Sequence, residues 1–561
     1  MASNMSLENP LSPALCAAAA GVLLHLGVFI RGEWEKYVAQ LALLQVTGPL
    51  VVLGSLVAFL GQPLSQAAAT AALLTASFNV GLYGSISVYR LFFHPLRRFY
   101  GPTGGKLTSL WAMKETFPDL KFYVKLQKLH QDHGDFIRFQ PRALSINNAE
   151  AIQDIYGSTS KCTKGPFYDL DYPGRSLHMT RDRKFHSQRR KQWDRAFTSR
   201  ALSNYEKRLK EHFKYLDLRI SENMGKPINA TDLCEYWGFD VMGDLMFGRP
   251  FNQLKENKAH FALEMARKAK FIGGLTLYPY WIFMLLQRLP IVSSLRLKWL
   301  RWCRSQMEQR RQSKPEVLDL YSYLLEDSSA EKAGDANNSA TADLDALFDA
   351  ELAIVAGSDT SSATLAASLY LLAKHPHVQS KLRQEVDDAV AAAGGELSYQ
   401  TLVNRPLLGG VINEALRLYP PVVPGLQRLT PPEGATIAGR FVPGDTLVSV
   451  QCWSVQRDPR NFPQPEDFIP ERWSSMPELA LHKEALIAFS TGTYSCVGRP
   501  LAMMELKLAV AMVARRFEVA FADPAESVRL FEESPGWQDS FTARVPPVKV
   551  CFREREKRDL A

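Results

Sequence analysis

The sequence predicts a mainly α-helical protein with a minor β region, preceded by transmembrane helices at its amino end. Three apolar segments, Leu11 to Ile30, Leu41 to Leu60 and Ala67 to Phe93, each have the roughly 20 residues that cross a bilayer core. From Lys106 onward most apolar residues recur at helical spacing, and only short stretches alternate as strands do. With 46% apolar residues among 561, the chain also has enough material for a large core.

The charges beside the apolar segments predict how the chain crosses the membrane. Met1 to Pro10 contains no Lys or Arg, which argues for an uncleaved anchor rather than a signal peptide. Arg31 and Lys36 follow the first segment and several basic residues follow the third, which places the amino terminus in the lumen and the later chain in the cytosol. We therefore expect an anchor of about three transmembrane helices over 1–93, a Pro/Gly hinge over 94–110 and a cytosolic body over 111–561.

Cysteine spacing and charge exclude several classes of protein. The seven cysteines form no CxxC pair, which argues against a disulfide framework and a zinc site. The net charge of +8 is not gathered in an arm or tail, so nucleic acid is not an expected partner.

Local patterns in the body predict particular elements. The stretches 136–146 and 435–451 read as strands, the second with a hairpin turn at Pro443, Gly444 and Asp445. The small polar stretch 328–343 predicts a mobile loop. The apolar helix after it contains "AGSDTS", in which Gly357 predicts a local kink or opening. A polar, loosened helix centre indicates either a place where something small is handled or a tolerated polar patch.

Two further patterns lie downstream. "VINEALRLYPP" places Glu414 and Arg417 one helical turn apart, and Arg472 in a Pro-rich segment could complete a buried network with them. "AFSTGTYSCVGRP" then holds Cys496 between Gly492 and Gly498. A cysteine alone is more often an inert buried thiol than a ligand.

Together, the acid and alcohol in the loosened helix, the ExxR pair, the Pro-rich arginine segment and FxxGxxxCxG from Phe489 to Gly498 resemble the cytochrome P-450 superfamily of haem-thiolate monooxygenases. The resemblance extends from the hinge to the carboxyl end and implies the cytochrome P-450 fold. It implies haem b (iron protoporphyrin IX) with Cys496 as the axial ligand of iron. A thiolate ligand favours cleavage of the O–O bond, and the two glycines are expected to let the backbone lie close to the porphyrin.

The same resemblance assigns other residues around the haem. Asp359 and Thr360 would be the pair that relays protons to oxygen, and relatives that act as isomerases or dehydratases often lack this pair. His186 and Arg190, on the helix that passes the haem, and Arg428 would bind the propionates. Tyr494 stands where the family usually has Arg or His, so that propionate contact is expected to be weaker.

The resemblance also implies partners and a compartment. Basic residues from Arg181 to Arg195 are expected to dock NADPH-cytochrome P-450 reductase, which would bring electrons from NADPH. The body would lie on the cytosolic side of the endoplasmic reticulum membrane, held there by a multi-pass anchor in membrane lipid.

The amino-terminal pattern "FIRGEWEKY" and the stretch "FDVMGDLMFGRPF" resemble a fungal membrane-bound group that includes tryprostatin B 6-hydroxylase-like enzymes. Members of that group commonly tailor secondary metabolites. A hydrophobic small molecule is therefore the expected substrate, with contacts guessed from family topology, each of which is equally compatible with core packing: Phe167, Tyr168, Leu177, Leu352, Val355, Val422, Val423 and Trp537.

The first functional hypothesis is a membrane-bound monooxygenase that most often hydroxylates, with epoxidation, desaturation, coupling and multi-step oxidation left open. The second is a non-catalytic haem-binding membrane sensor, which an intact Asp359 and Thr360 argue against. A transporter is a third, but nothing paired and polar within the apolar segments suggests a translocation path.

Overall fold

The structure is a computed structural model that describes residues 11–313, 315–325 and 336–555. Its contacts divide the chain into two units. The first unit runs to Ala112 and also contains Arg138–Ala143 and Tyr278–Ser293. The second unit contains Met113–Ile137, Leu144–Leu277 and the described chain from Ser294 onward. The anchor, hinge and body boundaries expected from the sequence stay a prediction.

The fold is mostly helical, as the sequence predicted. The helices are α1 Leu11–Leu24, α2 Val38–Leu60, α3 Leu64–Val88, α4 Thr103–Leu107, α5 Leu110–Thr116, α6 Phe122–His133, α7 Glu150–Tyr156, α8 Arg183–Ala196, α9 Ser199–Ser221, α10 Ala230–Phe247, α11 Gln253–Glu256, α12 Phe261–Thr276, α13 Tyr280–Leu286, α14 Pro290–Arg311, α15 Leu320–Leu325, α16 Ala336–Lys374, α17 Pro376–Ala392, α18 Tyr399–Leu402, α19 Pro406–Leu418, α20 Cys452–Val455, α21 Arg499–Arg516 and α22 Pro524–Val528.

The strands are short and form three small sheets. They are β1 Phe136–Gln140, β2 Ala143–Ile146, β3 Thr163–Lys164, β4 Pro227–Asn229, β5 Arg428–Leu429, β6 Ala435–Ile437, β7 Arg440–Val442, β8 Leu447–Val450, β9 Phe517–Phe521 and β10 Lys549–Glu554. The sheet orders are β1-β2-β8-β5-β3, β4-β10-β9 and β6-β7.

The first unit contains three helices long and apolar enough to cross a membrane, over Ser12–Phe29, Glu35–Leu60 and Leu64–Phe93. Helices α1 and α3 approach very closely through small residues. A Cβ on Gly21 would lie 2.7 Å from the backbone nitrogen of Leu82, and one on Gly81 would overlap the backbone of Ala18. Such contact between backbones is a common way for helices to associate in lipid. The anchor is therefore a packed helical group rather than a chain of separate spans.

The second unit is built around α16, the longest helix of the described chain. Helices α10, α19 and α21 pack on it, and the apolar cluster that they share includes Trp237, Ile354, Leu372 and Val510, all fully buried. At the middle of the helix Ser358 and Asp359 are buried, while Ala356 is exposed. The helix therefore carries both the core and the sequence predicted to handle oxygen.

The hairpin predicted in 435–451 forms at a different turn. β6 pairs with β7 across Ala438 and Gly439, both with positive φ, and β8 then joins the larger sheet beside β5. Pro443, Gly444 and Asp445 connect β7 of the two-stranded sheet to β8 of the larger sheet, and these two strands do not pair with each other. The prediction of the turn was wrong because a turn signal does not say which strands pair.

Two predictions for the long helix were also wrong. The helix does not open at Gly357, because the helical pattern runs unbroken through it, while a kink there stays a prediction. The missing side chain makes room for Met242, since a Cβ would lie 2.6 Å from the Met242 sulfur. The loop predicted over 328–343 is helical from Ala336, because extending an existing helix avoids the cost of nucleation. The earlier part of that stretch lies outside the described residues.

Candidate active site

Cys496 lies in a tight loop just before helix α21. Its backbone nitrogen donates to the carbonyl of Phe489 (2.9 Å), which closes the loop. The side chain is exposed. Burial by the surrounding protein nevertheless raises the pKa of its thiol, while the N–H groups of Gly498 and Arg499 and the charges of Arg190 and Arg499 act to lower that pKa. The two observations agree if the sulfur faces an open space inside the unit.

The two glycines of this loop have different roles. Gly492 has φ +67°, and any Cβ there would overlap the carbonyl oxygen of Tyr156. Packing against protein backbone is therefore enough to require a glycine here, and the expected closeness to the porphyrin stays a prediction. A Cβ on Gly498 would meet only the Cys496 sulfur at 3.8 Å and a Phe197 carbon at 4.0 Å, both ordinary contacts.

A buried cationic pair lies where β3 meets β5. Lys164 and Arg428 are directly opposite in the antiparallel ladder and are 3% and 1% exposed. Lys164 donates to the carbonyls of Leu177 and His178, and Arg428 donates to the carbonyl of Gln427. Like charges directly across a ladder destabilise it. Burial, and then the charge of Arg428, lowers the pKa of Lys164 well below its usual range.

Two histidines, His178 and His186, and two tyrosines, Tyr168 and Tyr494, pack around this pair, and we call the six residues the cationic cluster. Burial and then neighbouring cations lower the pKa of both His178 and His186 to about 3. The Tyr494 ring lies edge-on to His186 (4.6 Å between centroids), with Lys164 Nζ and the Arg428 guanidinium each 4.9 Å from its centre. In the part of the chain that the structure describes, the buried Nε of Arg428 and Nε2 of His178 have no hydrogen-bond partner.

Sequence reasoning assigned His186, Arg428 and Tyr494 to this region but missed Lys164 and His178. Neither belongs to a recognisable motif, because Lys164 enters the site only through the pairing of β3 with β5. Arg428 Nη1 also donates to the hydroxyl of Tyr168 (3.1 Å). Tyr168, expected as a substrate contact, therefore belongs to the cationic cluster.

The two central arginines of helix α8 bind different partners. Arg190 donates to the carbonyl of Ser495 (2.7 Å), beside the cysteine, and pairs with Asp194. Arg189 pairs with the fully buried carboxylate of Asp349 on α16. The Trp193 ring nitrogen donates to the same carboxylate (3.2 Å). This link between α8 and α16 was also missed, since nothing in the sequence of α16 marks Asp349 as paired.

The predicted relay pair lies at the middle of α16, but its two members face different partners. The Thr360 hydroxyl donates to the carbonyl of Ala356 (2.8 Å), and Ala356 is exposed although the helix around it is mostly buried. The Asp359 carboxylate instead forms an ion pair with Lys270 (3.0 Å) and accepts a hydrogen bond from Thr542 (3.1 Å). Thr360 is therefore half-buried beside the exposed Ala356, whereas Asp359 is buried among other partners.

The predicted Glu414, Arg417 and Arg472 set comes together in the core. All three side chains are fully buried. Arg417 forms a bidentate pair with Glu414 (2.7 and 2.9 Å), and Arg472 Nε lies 3.2 Å from the same carboxylate. Both guanidinium groups also donate to backbone carbonyls between 456 and 479. The network fixes the irregular segment that leads to the cysteine loop.

The expected substrate contacts fall into two groups. Val423 and Trp537 are fully buried, and the Trp537 ring nitrogen donates to the carbonyl of Pro420 (3.1 Å). Leu177 is buried and its backbone nitrogen donates to Asp349. Packing accounts for these side chains without a ligand. The remaining four are half-buried: Phe167, Leu352, Val355 and Val422.

Comparison with known proteins decides the family. The sequence model of the cytochrome P450 family matches residues 102–552. The chain is a cytochrome P450. It is 38% identical over 554 residues to "Cytochrome P450 monooxygenase nodW" of Hypoxylon pulicicidum, and the matched region covers 96% of this chain and 97% of that relative. It is also 37% identical to "Tryprostatin B 6-hydroxylase" of Aspergillus fumigatus, over 82% of this chain and 81% of that one.

The fold agrees with the family. The crystal structure of the cytochrome P450DA heme domain superposes with a TM-score of 0.64 and 18% sequence identity, covering 79% of this chain and 94% of that one. This cytochrome P450 is therefore a haem monooxygenase, its three apolar amino-terminal helices are long enough to anchor it in a membrane, and the relatives named above are fungal proteins.

The residues present fit a haem. Its propionates are carboxylates, and the cationic cluster offers two buried nitrogen atoms, on Arg428 and His178, that no described residue satisfies. An anion there would also relieve the repulsion between Lys164 and Arg428. The Cys496 side chain is exposed, which leaves its sulfur accessible to a haem iron.

Proposed function

We propose that this cytochrome P450 hydroxylates a hydrophobic small molecule of a fungal secondary-metabolite pathway, with Cys496 as the ligand of haem iron. The observation that carries the proposal is the exposed thiol beside the buried cationic cluster, in which Arg428 Nε and His178 Nε2 have no hydrogen-bond partner among the described residues. Helix α21, which follows the cysteine, packs against α16, which carries Thr360. The pair of helices thus brings the ligand loop and the polar helix centre into one region.

When bound, the haem would supply oxygen activation, and the protein groups around it have separate tasks. Cys496 would be held as a thiolate by iron, and the N–H groups of Gly498 and Arg499 stabilise that charge. Lys164, Arg428 and the nearby histidines would bind the propionates. Thr360 would hold a water molecule beside the exposed Ala356, and Asp359 would supply protons to that water. This transfer requires the Asp359 carboxylate to leave its present partners.

Electrons would come from NADPH through NADPH-cytochrome P450 reductase. Four basic residues of α8 are exposed: Arg183, Lys184, Lys191 and Arg195. Arg189 and Arg190 are instead held by Asp349 and by the cysteine loop, so they are less available to a partner. The exposed basic face suits an acidic flavoprotein, and the encounter rate should fall as ionic strength rises.

The body would lie on the cytosolic face of the endoplasmic reticulum membrane. Within the first unit, Glu35 in the loop between α1 and α2 pairs with Arg142 (2.5 Å), and the Tyr280 hydroxyl donates to the same carboxylate (3.1 Å). Residues joined in this way must be on the same side of a membrane. The contact therefore supports the topology expected from the charges, with the first loop and the later chain both in the cytosol.

The substrate would reach apolar side chains beside the polar centre of α16. Leu352 and Val355 lie on that helix, while Phe167 stacks on Phe541 (5.4 Å between centroids). A relative is named for hydroxylating tryprostatin B, and an aromatic or otherwise apolar substrate is consistent with these side chains. Hydroxylation is the proposed outcome.

Comparative mass spectrometry tests the proposal. Metabolites would be compared between cells that express the full chain and cells that express Cys496→Ser, in the producing fungus. We expect a compound that accumulates with the variant and that differs from a lost product by one oxygen atom. Loss of two hydrogens would instead show desaturation or coupling. Identical metabolites, with haem binding verified by a carbon monoxide spectrum, would contradict the proposed role in the pathway.

A further inference from the structure

The side-chain nitrogen of Lys164 has two hydrogen-bond acceptors among the described residues. Nζ donates to the carbonyls of Leu177 (3.2 Å) and His178 (2.6 Å), and Lys164 is only 3% exposed. A neutral amine has two N–H groups, whereas an ammonium has three. The two carbonyls therefore satisfy every N–H of a neutral Lys164, and a charged Lys164 would bury a third N–H without an acceptor.

The groups packed around Lys164 disfavour a charge on it. The ionisable ones come from several elements: Arg428 on β5, Tyr168 on the turn after β3, His178 in the loop before α8, His186 on α8 and Tyr494 in the cysteine loop. None of these is a carboxylate. Asp169, on the same turn as Tyr168, instead pairs with Arg181 (2.9 Å), whose Nε donates to the Lys164 carbonyl (3.1 Å).

Burial and charge act together on this amine. Burial, and then the charge of Arg428 directly across the ladder, holds the pKa of Lys164 well below its usual range. The faces of the Tyr168 and Tyr494 rings, 5.0 and 4.9 Å from Nζ, attract a cation but offset this only in part. A carboxylate that accepts from the unpartnered Arg428 Nε and His178 Nε2 would bring a negative charge into the cluster and favour the ammonium.

We propose that Lys164 takes up a proton when haem propionates enter the cationic cluster, so that haem binding to this chain is coupled to pH. The third N–H of the new ammonium then donates to a propionate. One proton passes from water to Nζ for each haem bound, and no electron moves. Tyr494, where we expected Arg or His, brings no fixed charge, so Lys164 supplies the second cation beside Arg428 only when it is needed. The inference rests on the proposed binding of haem at this cluster.

The coupling fixes the direction of the pH dependence. Lys164 binds its proton more tightly with haem present than without it, so haem affinity falls as pH rises between the two pKa values of the amine. Uptake of one proton corresponds to a loss of affinity of about tenfold for each pH unit in that range. Lys164→Arg, whose guanidinium stays charged, should remove this slope and at least keep the affinity. Lys164→Met should also remove the slope but bind haem about tenfold more weakly at pH 6.5.

The test measures how haem distributes between the full chain in detergent and an excess of apomyoglobin, from pH 6.5 to pH 8.5. The distribution is approached from both sides, and each variant is compared with the parent at the same pH, which cancels the pH dependence of the competitor. Lys161→Arg and Lys161→Met, at an exposed position, are the matched controls and should behave as the parent. Parallel curves for the parent and Lys164→Arg would overturn the inference, as would an equal loss of affinity in Lys164→Arg and Lys164→Met.

A separate measurement tells failure of the coupling from failure of the proposed function. The carbon monoxide band reports the thiolate-ligated haem, with Cys496→Ser as the variant that should lose it. If Cys496→Ser loses the band while parent and Lys164→Arg give parallel pH curves, only the coupling fails. If Cys496→Ser keeps the band, the proposed function itself fails. Should Lys164→Met not accumulate, the comparison of the parent with Lys164→Arg still decides the inference.

Discussion

A buried acid on α21 should make the stability of this cytochrome P450 depend on pH. Glu505 is 2% exposed, and its only hydrogen bond in the described chain comes from Ser361 of α16, whose hydroxyl donates to Oε2 (3.0 Å). Burial raises the pKa of Glu505 from 4.5 to about 8, although the bond from Ser361 acts in the opposite direction. The carboxyl is therefore neutral in the folded protein at pH 7.

The size of the effect follows from the two pKa values. The unfolded chain releases this proton near pH 4.5 and the folded chain near pH 8, so the folded state binds more protons between these limits and loses stability as pH rises. The difference of about 3.5 pH units corresponds to about 5 kcal/mol above pH 8, and to about 3 kcal/mol at pH 7. Glu505→Gln removes the titrating group and keeps an oxygen to accept from Ser361.

The measurement is the thermal midpoint of the full chain in detergent from pH 5 to pH 9. For a body of this size, 1 kcal/mol shifts the midpoint by about 1 °C. We expect Glu505→Gln to match the parent near pH 5 and to exceed it by about 3 to 5 °C above pH 8. Glu518→Gln, at an exposed position on β9, is the matched control. Parallel pH curves for parent and Glu505→Gln would refute the reasoning.

Four other substitutions test the site. Cys496→Ser should abolish activity and the carbon monoxide band of a thiolate-ligated haem, and a retained band would exclude Cys496 as the ligand. Thr360→Ala should keep that band but release peroxide, and normal coupling measured as peroxide per NADPH would contradict the relay. Lys164→Met should weaken haem binding about tenfold in a spectral titration, because it removes one cation from the buried pair, whereas the matched change at the exposed Lys161 should not. Glu414→Gln should lower the free energy of unfolding by about 3 to 5 kcal/mol, because it leaves two buried arginines without their acid. Haem-loaded protein should then fail to accumulate, and normal expression would argue against the network's role.

The sequence predicted best what local motifs encode. The apolar segments, the mostly helical body and the Glu414, Arg417 and Arg472 set could all be expected, because length, periodicity and spacing of a few residues decide them. Cys496 was found through a motif whose residues are neighbours along the chain. Its direct contacts, with Phe489 and Gly498, lie within that same stretch.

What the sequence did not predict depends on pairing between distant parts of the chain. Lys164 reaches Arg428 only because β3 pairs with β5, and Lys270 of α12 pairs with Asp359 of α16, 89 positions later in the chain. The opening expected at Gly357 failed for a related reason, since packing against Met242 explains the glycine without any break in the helix. Intrinsic propensity gives way to tertiary contact at such positions.

The close packing of α1 on α3 bears on how the chain can be shortened to a form that stays in solution. Removing only the first span would uncover the backbone groove at Gly81 that Ala18 now fills, and would leave a lipid-adapted surface able to capture another helix. Removing the whole anchor would also take away Glu35, the acid that pairs with Arg142. A truncation after all three spans removes the helix groove at Gly81 altogether. A neutral residue in place of Arg142 would then avoid leaving that arginine without its acid.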